Sequence, residues 1–310
     1  MKSRKRVLFV MLALMLVLGA FGLTGCGGGA TGGPDEPDPD VVEAVHVDSV
    51  EELLAAIEPG AEIVIERGKY NLCTFLDDYP NVRDCDEWNE SHDYVKLYNV
   101  YDGVEIHITD ADNLKISGVS ENPAQTEIVT EPRYASVLYF YDCDNVELNG
   151  LTMGHTETGD CSGNVLDFET CNNITLKNMD LYGCGVNGIG CTEGTGDLYV
   201  YDSVIRDCEY GSIEIYDPFG EFYFAGCKFT GSGWGGYFDY NETSSLKFVE
   251  CTFGDNETNT WYFDETAEFE DCTWAEVTMY PDYSDYEDMY PDVDPDYGEY
   301  NWDVEDDGQG

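Results

Sequence analysis

The first residues that could do chemistry are acidic side chains at recurring intervals. Tyr139, Asp167, Gly190, Glu214 and Asp239 follow one another at spacings of 23 to 28 residues. If each interval is one coil of a repeating chain, they form an outward column. Asp167 and Glu214 then lie two coils apart, roughly 9–10 Å for strands about 4.8 Å apart. An inverting glycosidase places its carboxyls about 6.5–9.5 Å apart to admit a water. The same column could bind a cation such as calcium, or be a solvated acidic face. His155 could carry a proton, because imidazole titrates near neutrality, or it could hydrogen-bond a loop. Lys177 and Arg206 are scarce positive charges on neighbouring coils. Either could clamp an acidic sugar or relieve carboxylate repulsion. Tyr199 and Tyr223 are equivalent outward residues on adjacent coils, and such rings can stack on apolar sugar faces while their hydroxyls bind sugar edges.

That reading depends on a repeat, and the repeat is visible. "DNLKISGVS" from Asp112, "DNVELNGLTM" from Asp144 and "NNITLKNMDL" from Asn172 share one phrase. Each has a polar turn, two apolar residues two apart, then another three further on. Leu114, Val146, Ile174, Leu198, Phe222 and Leu246 align, and from Ile174 to Leu246 the period is an unvarying 24 residues. Two positions later come Ile116, Leu148, Leu176, Val200, Phe224 and Phe248. Three further come Val119, Leu151, Met179, Ser203, Cys227 and Cys251, then Met153, Leu181, Ile205, Phe229 and Phe253. A third strand recurs as Leu138/Phe140, Leu166/Phe168, Ile189/Cys191 and Ile213/Ile215. Each rung exposes apolar surface that only the next rung buries, so repetition is the source of stability. The expected fold is all-β, a single parallel β-helix solenoid over residues 41–276. Asn145 and Asn173 precede equivalent strands. Asparagine tolerates left-handed geometry, so these are turn residues able to stack in a ladder rather than catalytic amides.

The start of the chain reads as a membrane-targeting segment. Lys2, Arg4, Lys5 and Arg6 precede an apolar run from Val7 to Phe21, then Leu23-Thr24-Gly25-Cys26. This resembles a bacterial lipobox. The resemblance implies that residues 1–25 are a signal peptide removed before Cys26, and that Cys26 carries lipid on its sulfur. Each buried acyl CH₂ contributes about 0.8 kcal/mol of anchoring. Residues 26–40, rich in glycine, proline and acid, would form a flexible tether. The chain would then sit on the extracytoplasmic side of the cell membrane as a lipid-anchored monomer. Val50, Leu53, Leu54 and Ile57 form the stripe of a short helix, with Ser49 and Glu52 as a capping box and Pro59-Gly60 as its stop. Residues 277–310 are read as an acidic, disordered tail.

The whole chain has 64 acidic and 14 basic side chains and a formal charge of −50. That repels phosphate backbones and excludes nucleic acid as a partner. Twelve cysteines include Cys26, leaving an odd eleven in a compartment that permits disulfides. Cys73 and Cys85 bracket a polar, acidic segment and are expected to close a surface loop over residues 73–94. Cys227, Cys251 and Cys272 form an inward column; Cys143/Cys171 and Cys184/Cys208 are further stacked pairs. Cross-rung spacing is slightly long for a disulfide, whose Cβ atoms prefer about 3.8 Å.

The opening around residues 45–72 resembles the N-terminal cap of pectate-lyase-like right-handed parallel β-helices. Residues 150–191, with Gly154-His155 beside an expanded loop and Gly183-Cys184-Gly185 at the next corner, look like bacterial β-helix proteins of a subgroup without known activity. The resemblance implies a right-handed solenoid with a short N-terminal capping helix. It does not carry a mechanism. Thr156 follows Gly154-His155 where polygalacturonases have a second glycine, and their Asn-Thr-Asp, paired-Asp and Arg-Ile-Lys motifs are absent. No basic cluster matches the proton abstractor of the pectate lyases. The function expected is therefore a surface scaffold or adhesin, with calcium-assisted carbohydrate binding and polysaccharide cleavage as the alternatives.

Overall fold

The computed structural model describes residues 43–157, 162–183, 185–239, 242–256, 260–263, 266–275 and 278–280. Cys26, the signal peptide, the tether, Cys184 and residues 281–310 lie outside them. The described chain is a parallel β-solenoid that visits three sheets in turn. Sheet 1 has nine strands, running from Val45–Val47 and Glu62–Ile65 through Asn172–Lys177 to Glu268–Glu270. Sheet 2 has eight, from Gly68–Asn71 to Thr273–Trp274, and sheet 3 has nine, from Val95–Val100 to Thr278–Tyr280. Strand pairing therefore continues past the expected boundary at residue 276.

The register is the one that the apolar period demands. Ile174, Leu198, Phe222 and Leu246 are successive partners on sheet 1, as are Leu176, Val200, Phe224 and Phe248. On sheet 2, Met153, Leu181, Ile205, Phe229 and Phe253 stack in order. Rings stack inside the coil, with Phe224 on Phe248 at 5.0 Å and Phe229 on Phe253 at 5.1 Å. The step of three between sheets 1 and 2 has a local cause. One residue at each corner adopts a left-handed backbone: Gly150, Asn178, Asp202, Gly226, Glu250 and Asp271 have φ between 48° and 68°. Asparagine, aspartate and glycine visit that region most easily. Val119 departs from the pattern and is 36% exposed. In its rung the 3₁₀ turn Pro123–Gln125 widens the corner.

Asn113, Asn145 and Asn173 also have φ near 60°. Their amides form the expected ladder, Asn145 Nδ2 donating to Asn113 Oδ1 at 3.1 Å and Asn173 Nδ2 to Asn145 Oδ1 at 2.6 Å.

The cysteines take part in similar corner ladders. Met179 N–H donates to Ser203 Oγ at 3.0 Å. Ser203, Cys227 and Cys251 N–H groups donate in turn to the sulfurs of Cys227, Cys251 and Cys272. The Cys227 thiol donates to the carbonyls of Val200 and Ala225. A second ladder runs from Ala111 N–H through Cys143 and Cys171 to Thr195. Serine, threonine and cysteine are thus equivalent here: each accepts from the rung before and returns a hydrogen to a carbonyl.

Cys73 and Cys85 are not joined, and no disulfide occurs among the described residues. Residues 73–94 are not a simple loop but carry the helices Cys73–Leu76 and Val82–Asn89. Cys73 Sγ faces Thr130 Oγ1 at 3.8 Å and accepts from Glu131 N–H, whereas Cys85 Sγ meets Asn99 Nδ2 at 3.2 Å. The two thiols are committed to different walls. The helix Val50–Ala56 forms where expected, with Ser49 Oγ accepting from Glu52 N–H at 3.2 Å and Val50, Leu53 and Leu54 buried.

Candidate functional site

Outward residues of sheet 3 make the most chemically loaded face. Strand pairing places His107, Tyr139, Asp167, Gly190, Glu214 and Tyr237 in one column. Four of the five expected column members are therefore brought together. Asp239 is not among them, because Glu214 pairs with Tyr237. The inward residue before Tyr237 is Gly236, whose missing side chain leaves room for Ile213 and Trp261; a Cβ there would lie 2.6 Å from Ile213 Cγ1 and 3.0 Å from the Trp261 indole. With glycine in an apolar slot, the strand Gly236–Phe238 is invisible to hydrophobic alignment and the phase slips by two residues.

Asp167 is held in the middle of the column and is only 9% exposed. Ser136 Oγ and Asn164 Nδ2 both donate to its Oδ2, at 2.8 and 2.9 Å. Burial pushes its carboxyl up to about 6; the two donors oppose this, and the charges of Glu105 and Glu214 reinforce it. Gly190 makes the arrangement possible, since a Cβ would lie 2.3 Å from Asn164 Nδ2 and 2.5 Å from Asp167 Oδ1. Two strands away, Glu214 accepts from buried Asn187 Nδ2 at 2.7 Å and from the Tyr216 hydroxyl at 3.0 Å. Burial raises its carboxyl as well, against those two bonds.

Aromatic residues flank the acids. The His107 ring stacks on Tyr139 at 4.1 Å and meets Tyr98 at 4.4 Å. Glu105 accepts from His107 Nε2 and from Ser136 N–H, both at 2.6 Å. The Tyr139 hydroxyl donates to Glu169. At the far end Tyr216 lies 4.9 Å from Tyr237. The exposed tyrosines among the described residues are Tyr98, Tyr101, Tyr141, Tyr210 and Tyr216. All five lie on sheet 3 or in turns adjoining it.

The other expected site residues sit elsewhere. Tyr199 and Tyr223 are register partners on sheet 1, as expected, but both are half-buried. Tyr199 donates to Glu221 at 3.2 Å, and Tyr223 lies 5.9 Å from Tyr201. Lys177, on sheet 1, pairs with Glu147 at 3.1 Å. Arg206, on sheet 2, binds Asp180 at 2.7 Å and Asp207 at 2.7 Å and lies over the Tyr182 ring. Both cations neutralise neighbouring carboxylates and neither reaches the sheet 3 column. His155 is also on sheet 2 and is 3% exposed. Its Nε2 bonds the Ala135 carbonyl at 2.8 Å, Nδ1 is buried without a partner, and burial lowers its basicity. No group of three or more His, Cys, Asp or Glu positioned to hold a metal occurs among the described residues.

Glu105, Ser136, Asn164 and Asn187 escaped the sequence reading. Glu105 lies in the hairpin Val95–Val100/Gly103–Thr109, the antiparallel pair of sheet 3. Asp102-Gly103 between alternating apolar residues is the signal that could have found it. In comparisons with known proteins, no family model matches the chain and no curated protein matches it.

Proposed function

We propose that this chain is a surface-displayed β-solenoid that binds a glycan along the outward face of sheet 3. The reading rests on one observation, the concentration of all the exposed tyrosines of the described chain on or beside that one sheet. A flat aromatic strip interrupted by carboxylates suits a polysaccharide, whose rings present apolar faces and hydroxyl edges. In this reading the coil is right-handed, the helix Val50–Ala56 closes its first rung, and lipid on Cys26 holds the domain outside the cell membrane. Calcium, where it assists, bridges carboxylates and sugar rather than filling a preformed cage. A glycan array run with calcium and with chelator tests the proposal. Binding that drops on replacing Tyr141 and Tyr216 with alanine supports it; no signal in either condition refutes it.

A second reading has its own observation. Asp167 is a carboxyl of raised pKa standing two strands from Glu214, the arrangement of an acid and a base across a glycosidic bond. New reducing ends released from a polysaccharide, and lost in Asp167→Asn, would favour cleavage over binding alone.

A further inference from the structure

The solenoid is elaborated at one corner and at one end. On the first three rungs, the connections from sheet 2 to sheet 3 are long: residues 72–94, 131–137 and 156–165. On the next rungs the same corner is crossed by residues 183–186, 207–210 and 231–235. A cleft of about 510 Å³ opens between the three long connections and the hairpin turn at Tyr101-Asp102. That is within the range of about 300–1,000 Å³ usual for small-molecule sites.

Its walls are built rather than incidental. The Asp102 carboxylate accepts from the N–H groups of Arg133 and Tyr134 at 2.8 and 3.1 Å. This clips the hairpin to the second connection. Gly103 lets the two approach, since a Cβ there would lie 2.3 Å from Pro132. Pro132, Val104 and Leu76 give the cleft apolar surface. At the same turn, Tyr101 is 88% exposed with its ring 5.0 Å from Tyr134. A ring so exposed and yet backed by a second ring is a platform for a flat apolar face.

Charge selects among sugars. The lining carries Asp77, Asp102, Glu131 and Glu157 against one cation, Arg133. All four acids are exposed; Asp102 accepts from backbone N–H groups and Glu131 from Asn71 Nδ2 at 2.7 Å. A uronic acid entering this cleft meets like charge in a chain of formal charge −50. An ammonium group meets opposite charge there, an attraction between exposed groups that salt screens. The cleft also adjoins the sheet 3 strip, because the second connection supplies Ser136, which binds both Glu105 and Asp167.

We propose that this cleft is a subsite for an amino sugar with a free amine, docking against Tyr101 with its ammonium toward Glu131 and Glu157. This deepens the glycan-binding reading and rests on it.

The test is calorimetric titration of the full chain with matched oligosaccharides of glucosamine, N-acetylglucosamine and galacturonic acid. At about 20 mM salt the free-amine oligomer should bind at least about tenfold tighter than its acetylated counterpart, and the gap should narrow at about 150 mM, where charges are screened over about 8 Å. Glu157→Gln, and Glu131→Gln with Glu157→Gln, should weaken the free-amine oligomer more than the acetylated one and so narrow the gap. Tyr101→Ala should weaken both. Equal affinity for the two oligomers, a gap indifferent to these variants, or tightest binding of the uronate would overturn the inference. So would a lysine oligomer of matched charge competing as well as the amino sugar, which would mark a site for basic peptides. Failure of the parent reading looks different: acetylated and amino oligomers alike would then be indifferent to Tyr141→Ala and Tyr216→Ala.

Discussion

Replacing Asp167 with asparagine should stabilise the protein at neutral pH and remove part of its pH dependence. Asp167 is nearly inaccessible to solvent. Its carboxyl moves from an ordinary 3.8 to about 6, chiefly through burial. A folded-state value above the unfolded one means that the folded protein prefers the protonated form. The associated stability is present below about pH 4 and is lost as pH rises through about 6. A shift of this size, at 1.36 kcal/mol per unit, corresponds to about 3 kcal/mol. Asparagine keeps the shape and can offer its Oδ1 to both Ser136 and Asn164, but it has no charge to desolvate. Urea unfolding of both proteins at intervals from about pH 4 to pH 8 isolates this group, because Glu214 contributes a slope of the same sign to each. The two proteins should be close in stability at pH 4, with the variant ahead by up to about 3 kcal/mol at pH 7. A difference that stays flat with pH would refute the reasoning. A wild-type protein that gains on the variant as pH rises would show that the two donors outweigh burial.

Two other substitutions test the framework around the site. Cys227→Ser should be tolerated, because a hydroxyl can accept from Ser203 N–H and donate to Val200 or Ala225 as the thiol does; Cys227→Val leaves that N–H unpaired and should cost about 1–3 kcal/mol, measured by urea unfolding, with equal stability of the two variants as the contrary result. Gly190→Ala drives a methyl into Asn164 and Asp167, and loss of their charged hydrogen bond should cost about 1.5–3 kcal/mol at pH 8; an unchanged urea midpoint would mean that these side chains move aside freely.

The solenoid was legible in the sequence because its physics is repetitive. An inward leucine or phenylalanine must stack on its equivalent one rung away, so the register on sheets 1 and 2 follows from the apolar period. Asn145 and Asn173 were legible for the same reason: left-handed corners recur and asparagine suits them. What failed to show did so where that signal vanishes. Gly236 fills an inward slot without being apolar, because Ile213 and Trp261 pack into its space, and so Asp239 was placed two residues out of register. The hairpin and the helices Cys73–Leu76 and Val82–Asn89 obey local rules rather than the repeat, which hid Glu105 and the cleft. A proximity rule for cysteines suggested a Cys73–Cys85 bridge, whereas each thiol is turned to its own wall. Ser136, Asn164 and Asn187 act through hydrogen bonds across rungs, and no spacing in one sequence reveals those. Half of the candidate site was therefore visible as a column of outward residues, and the partners that set its electrostatics were not.

The central claim is that sheet 3, rather than sheet 1, is the binding face. Hydroxyl-radical footprinting of the tyrosines, with and without a saturating mixture of glucosamine and N-acetylglucosamine oligosaccharides, tests it most directly. Protection of Tyr98, Tyr141 and Tyr216 with Tyr199 and Tyr223 unchanged is the result expected. Protection of Tyr199 and Tyr223 instead, or of no tyrosine on either sheet, would contradict the account.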